Sequence, residues 1–274
     1  MLIDRTRTAF KQFFYTLLSI PTAIQFVREH QPWKGFWKYG WVSRFSILVA
    51  VLLGLQFLQI VLSYATKPSE DPIALASNMA SMVGEFVQTG YSFLFVGGMK
   101  YGMLFLLEVL IFHFTRSTIQ ILTKQEEDNT QFNTFVKAQI RMLKVVFWAW
   151  LMEGFTKFII QFAGGIISPI AYIQPILFFG VHCYYLGIPI LDNYHEQFQM
   201  KIRDSFRFTR KYIGVAVACG LIVNLAFIIP VIGPILLSLL VAVTASITMY
   251  ELSDLHLLGG DLEARLENIE SDIL

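Results

Sequence analysis

Long apolar runs separated by charged segments form the dominant pattern of the chain. One run extends from Ile213 to Tyr250 and is broken once, by the hexad Ile229-Pro230-Val231-Ile232-Gly233-Pro234. Proline lacks an amide donor, and glycine adopts backbone angles that other residues avoid. The hexad therefore predicts the end of one helix and a hairpin turn made by Pro230, Gly233 and Pro234.

The two arms of this run, 213–229 and 234–250, are short for membrane spans. At 1.5 Å per residue each arm reaches about 25 Å, whereas the hydrocarbon core of a bilayer is roughly 30 Å thick. The arms are therefore either minimal spans or a helical hairpin that dips into the membrane.

Four apolar segments upstream predict further spans or hairpin arms, at 45–65, 91–114, 145–167 and 170–191. The last two are joined by Gly164-Gly165-Ile166-Ile167-Ser168-Pro169 and predict a second hairpin.

The two ends of the chain have different characters. Apolar side chains at helical spacing within residues 8–30 predict an amphipathic helix at the membrane surface. Residues 251–274 are acidic and predict a tail that is helical or disordered. The fold class that follows is all-α: one polytopic membrane domain over residues 1–250, with full spans and short helical hairpins that either cross the bilayer or only dip into it.

Composition supports this class. The 274 residues are 55% hydrophobic and only 15% charged, whereas ordinary globular domains are about 25% charged. So much apolar surface does not fit inside one soluble core of this size, so a lipid bilayer is the predicted partner. Cys183 and Cys219 both lie in apolar runs, which favours small buried hydrophobic side chains.

The distribution of the 21 Lys and Arg residues predicts the orientation. Nearly all of them lie in the segments 1–44, 114–144, 191–212 and 250–274, whereas the opposite loops hold only Lys67. Because cytoplasmic loops retain Lys and Arg, both termini are predicted to be cytoplasmic. The basic run 201–211 then faces anionic lipid headgroups, which explains it with fewer assumptions than nucleic acid.

Ionisable residues inside apolar runs are costly and are the candidate functional residues. Lys100 and Glu108 are eight residues apart, so they can face one wedge of the same helix. Glu153 and Lys157 are four apart with the acid first, which favours an ion pair within a helix. In one interpretation each pair neutralises its own charge inside the bundle, or Lys100 extends to the membrane interface. In the other, Lys100 or Lys157 faces a water-filled path and compensates the charge of an anion.

A cluster of cations and aromatic residues precedes the first predicted span. Lys34, Lys38 and Arg44 belong either to a membrane-surface anchor or to a rim that collects anions. No nucleophile motif, glycine-rich phosphate loop or standard metal-ligand spacing occurs, so no enzyme activity, cofactor or metal is predicted. Asp192, His195 and Glu196 resemble a metal cluster only superficially, because their spacing matches no standard site.

The C-terminal run also carries a family resemblance. Its residues in order are Tyr184-Tyr185, Asp192-Asn193-Tyr194, Ser205-Phe206, Arg210-Lys211, Gly214, Gly220, Ile229-Pro230-Val231-Ile232-Gly233 and Val243-Thr244-Ala245-Ser246. In order and spacing they resemble the C-terminal signature of the family of CysZ-type sulfate permeases and etoposide-induced membrane proteins. Upstream, the similarity is one of hydropathy and general layout.

This resemblance implies a helical bundle of spans and partly inserted hairpins in a bacterial inner membrane. It also implies a homo-oligomer that passes sulfate or a similar small anion. The sulfate permeases carry a Gly-Leu-Arg-type element before the first span, where this chain reads Pro32-Trp33-Lys34-Gly35-Phe36. That departure leaves sulfate specificity open, and a membrane scaffold or envelope factor that transports nothing is the alternative.

Overall fold

The computed structural model describes residues 2–33, 99–124, 132–166, 168–228 and 232–255, and this part of the chain is all-helical. The helices in order are α1 (Leu2–Leu18), α2 (Ile20–His30), α3 (Met99–Thr123), α4 (Phe132–Ile166), α5 (Ser168–Gln197), α6 (Ile202–Thr209), α7 (Ile213–Ile228) and α8 (Ile232–Leu252).

The helices extend beyond the apolar runs that predicted them. α3 continues past residue 114 to Thr123, and α4 begins at Phe132, well before the predicted arm at residue 145. Each extension contains polar residues together with buried ones such as Ile119 and Ala138. An amphipathic face is sufficient to keep a helix packed, so hydropathy predicts where a helix is apolar but not where it ends. The predicted span 45–65 lies outside the described residues.

The predicted turn residues of the C-terminal hairpin need correction. α8 begins at Ile232, so Gly233 and Pro234 lie in its first turn and not in the connection. A proline is tolerated there because the first amides of a helix have no partner within the helix. Pro230 lies outside the described residues. In the other predicted hairpin, α4 ends at Ile166 and α5 begins at Ser168, both within the segment predicted to join the two arms.

The N-terminal segment is two helices and forms part of the bundle. α1 ends at Leu18, and α2 starts at Ile20 with Pro21 in its first turn. The Gln12 side chain donates to the Lys211 carbonyl at 2.9 Å and accepts from the Gly214 amide at 3.3 Å, which attaches α1 to the start of α7. The predicted surface helix is therefore packed on the bundle over at least part of its length.

α5 lies centrally and packs against both α4 and α7, while α8 packs against α3 and α7. Side chains from α3, α4, α5, α7 and α8 share one buried core that includes Leu107, Met142, Leu186, Cys219 and Met249. Cys183 is buried, as is Cys219.

Few of the described helices are both long enough and apolar enough to span a membrane. Within the described ranges, Tyr172–Gln197 is long and apolar enough to cross a membrane. A second span is counted if Ile202–Thr209 and Ile213–Leu225, which meet at a bend of 97°, are taken together. Core helices of soluble proteins pass the same test, so this count alone does not assign the chain to the membrane class.

Two glycines allow α5 and α7 to pack backbone against backbone. A Cβ atom on Gly187 of α5 would lie 1.9 Å from the Ala216 carbonyl oxygen. A Cβ atom on Gly220 of α7 would lie 1.8 Å from the Cys183 carbonyl oxygen. Because these neighbours are main-chain atoms, no side-chain rotation can relieve either clash.

We expect Gly187→Ala to separate α5 from α7 and to lower the free energy of unfolding by about 3 kcal/mol or more. The measurement is denaturant or thermal unfolding of the purified chain. Gly180→Ala is the matched control on the same helix, because a Cβ atom there has nothing within 4 Å. That control should be neutral or stabilising, by up to about 1 kcal/mol from helix propensity. Equal stability of the two variants would show that the α5–α7 contact is not this close.

Candidate functional site

A buried ionic group, the Arg141 cluster, joins α4 to the end of α5. It consists of Arg141, Asp192, Glu196 and the Met200 carbonyl. Arg141 donates from Nε to Asp192 Oδ2 at 2.9 Å and from Nη2 to Asp192 Oδ1 at 2.8 Å. Its Nη1 donates to the Met200 carbonyl at 2.5 Å, and Glu196 lies 3.7 Å from Nε. The guanidinium therefore binds a carboxylate through two parallel hydrogen bonds, a geometry that lysine cannot reproduce.

The electrostatics of the cluster favour the charged form of Arg141. Burial acts to lower the pKa of its guanidinium, but the hydrogen bond to Asp192 and the charges of Asp192 and Glu196 outweigh it and raise the pKa. The Asp192 side chain is only 2% exposed. Such a buried carboxylate needs a fixed cation, and Arg141 provides it from the neighbouring helix.

The same contacts hold the chain reversal after α5. Gln199 has a positive φ of 53°, and the Met200 amide donates to the His195 carbonyl, which closes the end of the helix. Near the end of α5, His195 Nδ1 lies 2.8 Å from Ser205 Oγ, and this hydrogen bond connects α5 to α6. Asp192 and Glu196 thus both face Arg141, whereas His195 contacts Ser205. No three metal-binding side chains cluster anywhere in the described ranges.

A second group, the Glu153 cluster, joins α4, α5 and α7. It consists of Glu153, Lys157, His182 and Asn224. Glu153 Oε1 lies 2.5 Å from Lys157 Nζ and 3.1 Å from His182 Nδ1. His182 Nε2 lies 3.1 Å from Asn224 Oδ1. The ion pair between Glu153 and Lys157 that their spacing predicts is therefore present, and His182 extends it to α7.

The two clusters lie at different levels of the α4–α5 hairpin. Glu153 follows Arg141 by twelve residues, which is about 18 Å along α4. His182 precedes Asp192 by ten residues, which is about 15 Å along α5. The hairpin is thus joined by polar contacts at two levels, and the Glu153 cluster is the nearer of the two to its tip.

Glu108 is fully buried on α3 and contacts α5. Asn193 Nδ2 donates to Glu108 Oε2 at 3.0 Å. The pair that the sequence suggested for Glu108 was Lys100, whose side chain lies outside the described part of the chain, as do Lys34, Lys38 and Arg44. Of the predicted pathway residues, the structure thus brings together Glu153 and Lys157 and places Glu108 in a separate group.

The sequence reading missed Arg141, Asp192 and Asn193 as site residues. Arg141 lies among the basic residues of the polar segment 114–144. Hydropathy does not reveal that one face of that segment is buried. The signal available was the polar pair Asp192-Asn193 at the end of an apolar run, where a buried carboxylate requires a cation.

Comparisons with known proteins add no assignment: no family model, no curated protein and no solved structure matches the chain.

We expect Arg141→Lys to lower the free energy of unfolding by about 2 kcal/mol, because one ammonium cannot make both hydrogen bonds to Asp192. Arg141→Ala should cost about 3–5 kcal/mol, because it leaves Asp192 buried without a cation. Lys144→Ala is the control: this residue is exposed on the same helix and should change stability by less than about 0.5 kcal/mol. Unfolding in detergent checks all three, and a neutral Arg141→Ala would refute the role of the cluster.

Proposed function

We propose that the chain is an integral membrane protein whose α4–α5 hairpin lies in the lipid bilayer. The observation that carries this proposal is a continuous exposed apolar surface on the hairpin. On α4 it includes Leu151, Phe155, Phe158, Phe162 and Ile166, with exposed fractions from 41% to 69%. Their spacing of three and four residues places them along one side of the helix.

Exposed apolar side chains also lie on α5. Tyr172 and Ile176 are 86% and 73% exposed, and Phe179 is 47% exposed. Within the most apolar window of Tyr172–Gln197, only 39% of the residues are buried. A core helix of a soluble protein would bury most of its apolar residues, and soluble monomers rarely expose apolar patches of this extent.

The dimensions fit a bilayer. From Phe147 to Ile166 the exposed apolar side of α4 covers twenty residues, or about 30 Å, against roughly 30 Å for the hydrocarbon core. Trp148 and Trp150 are both exposed near the beginning of that stretch, and tryptophan is enriched at membrane interfaces. The exposed Lys144 precedes it directly.

The short helix α6 supports an interface at the same end of the hairpin. It follows the Arg141 cluster and carries exposed Arg203 and Arg207, and Lys201, Arg210 and Lys211 flank it in exposed positions. At a bend of 97° the chain then enters the apolar helix α7. This arrangement is the one expected of a basic helix that lies along anionic lipid headgroups and is followed by a helix inserted into the bilayer.

We further propose that the protein is a permease or channel for a small inorganic anion of the sulfate type. The support is the resemblance of the C-terminal signature and the placement of Lys157, whose side chain is 30% exposed on the hairpin. A homo-oligomer in a bacterial inner membrane, with both termini cytoplasmic, completes the proposal.

A non-transporting membrane scaffold is the second candidate, and one observation favours it. Arg141 and Lys157 are each bonded to carboxylates. An anion would have to compete with those partners for the positive charge. In a scaffold the same pairs would serve only to neutralise buried charge and to hold the hairpin.

Membrane insertion is tested by spin labels on single cysteines in lipid vesicles. At Phe162→Cys we expect access to oxygen, which partitions into lipid, and protection from a water-soluble nickel chelate. At Lys201→Cys, in the basic segment, the nickel chelate should reach the label. The parent protein gives the background, since its two cysteines are buried. Equal nickel access at both sites would overturn the insertion of the hairpin.

Transport is tested by uptake of labelled sulfate into vesicles that contain the purified protein. A permease should take up sulfate faster than empty vesicles, and Lys157→Ala should reduce the rate roughly tenfold, the effect of about 1.4 kcal/mol. Lys137→Ala, at an exposed position of α4 away from the tip, is the control and should transport normally. If the hairpin is inserted but sulfate uptake is no faster than in empty vesicles, the transport proposal is wrong and the scaffold proposal remains.

A further inference from the structure

Glu108 and Asn193 form a buried pair whose hydrogen bonding is incomplete. Asn193 Nδ2 donates to Glu108 Oε2 at 3.0 Å and to the Pro189 carbonyl at 3.2 Å. Two oxygen atoms of the same pair, Glu108 Oε1 and Asn193 Oδ1, are buried and have no hydrogen-bond partner among the residues that the structure describes. Both residues are at most 1% exposed.

The orientation of the Asn193 amide follows from its neighbours. The Pro189 carbonyl and Glu108 Oε2 accept hydrogen bonds, so the amide nitrogen and not the amide oxygen must face them. Both protons of Nδ2 are then used, and Oδ1 is left as an acceptor. Because Glu108 Oε1 is also an acceptor when the carboxyl group is ionised, neither atom can satisfy the other.

The surroundings oppose a negative charge at this position. Two more carboxylates, Glu196 and Asp192 of α5, act on Glu108 electrostatically. The cation from α4, Arg141, is already bonded to Asp192 and lies close to Glu196. The buried stretch of α8, residues 241–249, contains no ionisable side chain. An ionised Glu108 would thus be a buried charge with like charges near it, which is strongly unfavourable.

We propose that Glu108 is a proton-binding site, in which the carboxyl group keeps its proton at neutral pH and shares it with Asn193. The proton resides on Oε1 and is donated to Asn193 Oδ1. Together with the bond from Nδ2 to Oε2, it closes a two-hydrogen-bond pair between a carboxylic acid and an amide. One proton then satisfies both orphaned oxygens and removes the uncompensated charge.

This inference is independent of whether the chain carries an anion. It requires only that α3 and α5 meet as described, since Glu108 and Asn193 come from those two helices. Its consequence is that the contact between α3 and α5 depends on a bound proton and weakens at alkaline pH.

Infrared spectroscopy of the full chain in detergent tests the proposal directly. At neutral pH the wild-type protein should show the carbonyl band of a protonated carboxylic acid. Glu108→Gln should weaken that band, whereas Glu196→Gln, which removes the neighbouring carboxyl group, should leave the Glu108 component in place. Glu153→Gln is the matched control, because Glu153 is also a buried glutamate but is paired with Lys157. It should keep the band. A wild-type spectrum without the band at neutral pH overturns the proposal, whether or not either variant folds.

The pH dependence of unfolding gives a second readout. Because the folded chain keeps a proton that the unfolded chain releases, the unfolding equilibrium constant of the wild type should rise by up to about tenfold per pH unit. In Glu108→Gln this contribution should be absent, and stability at neutral pH should be retained, since the neutral amide can donate to Asn193 Oδ1. Identical pH profiles for the wild type and Glu108→Gln contradict the proposal. A second contradicting result would be a wild type that is more stable in sodium chloride than in choline chloride, together with a Glu108→Gln variant that shows no such difference. In that case a metal cation, and not a proton, would occupy the site.

Discussion

The neutralisation of buried charge by partners on neighbouring helices is the constraint on which this bundle depends. Asp192 is almost fully buried, and the guanidinium of Arg141 binds both of its oxygens. Without that pair, α4 and the end of α5 would each carry an uncompensated charge in a medium of low dielectric constant. Because Arg141 also binds the Met200 carbonyl, the same contact sets the reversal that leads into α6 and the C-terminal hairpin.

Close packing and charge pairing act at different places along α5. Gly187 brings the backbone of α5 against α7, so that main-chain atoms pass at distances that no Cβ atom permits. On either side of it, His182 contacts Glu153, and Asp192 contacts Arg141. The glycine sets the spacing between α5 and α7, and the polar contacts set the rotation and register of α5 against α4. The described side chains on the exposed apolar side of the hairpin make neither kind of contact with the bundle, and lipid is therefore the environment proposed for them.

The interior of the described bundle is not arranged as an open cationic path. Its partly buried cations Arg141 and Lys157 are bonded to carboxylates, and the buried Glu108 adds a further acidic group. A permease built in this way would have to move an anion past paired charges, whereas a scaffold needs nothing more than the pairing. The difference between the two proposed functions is therefore a question of whether Lys157 can exchange Glu153 for an anion.

The sequence by itself determined the helical class, the apolar arms and the ion pair between Glu153 and Lys157, since each depends on residues close together in the chain. A four-residue spacing on a helix is enough to bring two side chains together. Only the tertiary structure decided that Arg141 binds Asp192, 51 residues away, and that Glu108 meets Asn193, 85 residues away. Those contacts depend on which helices are neighbours and how each is rotated. Hydropathy sets neither, because α4 and α5 are apolar on faces that point both toward the bundle and away from it.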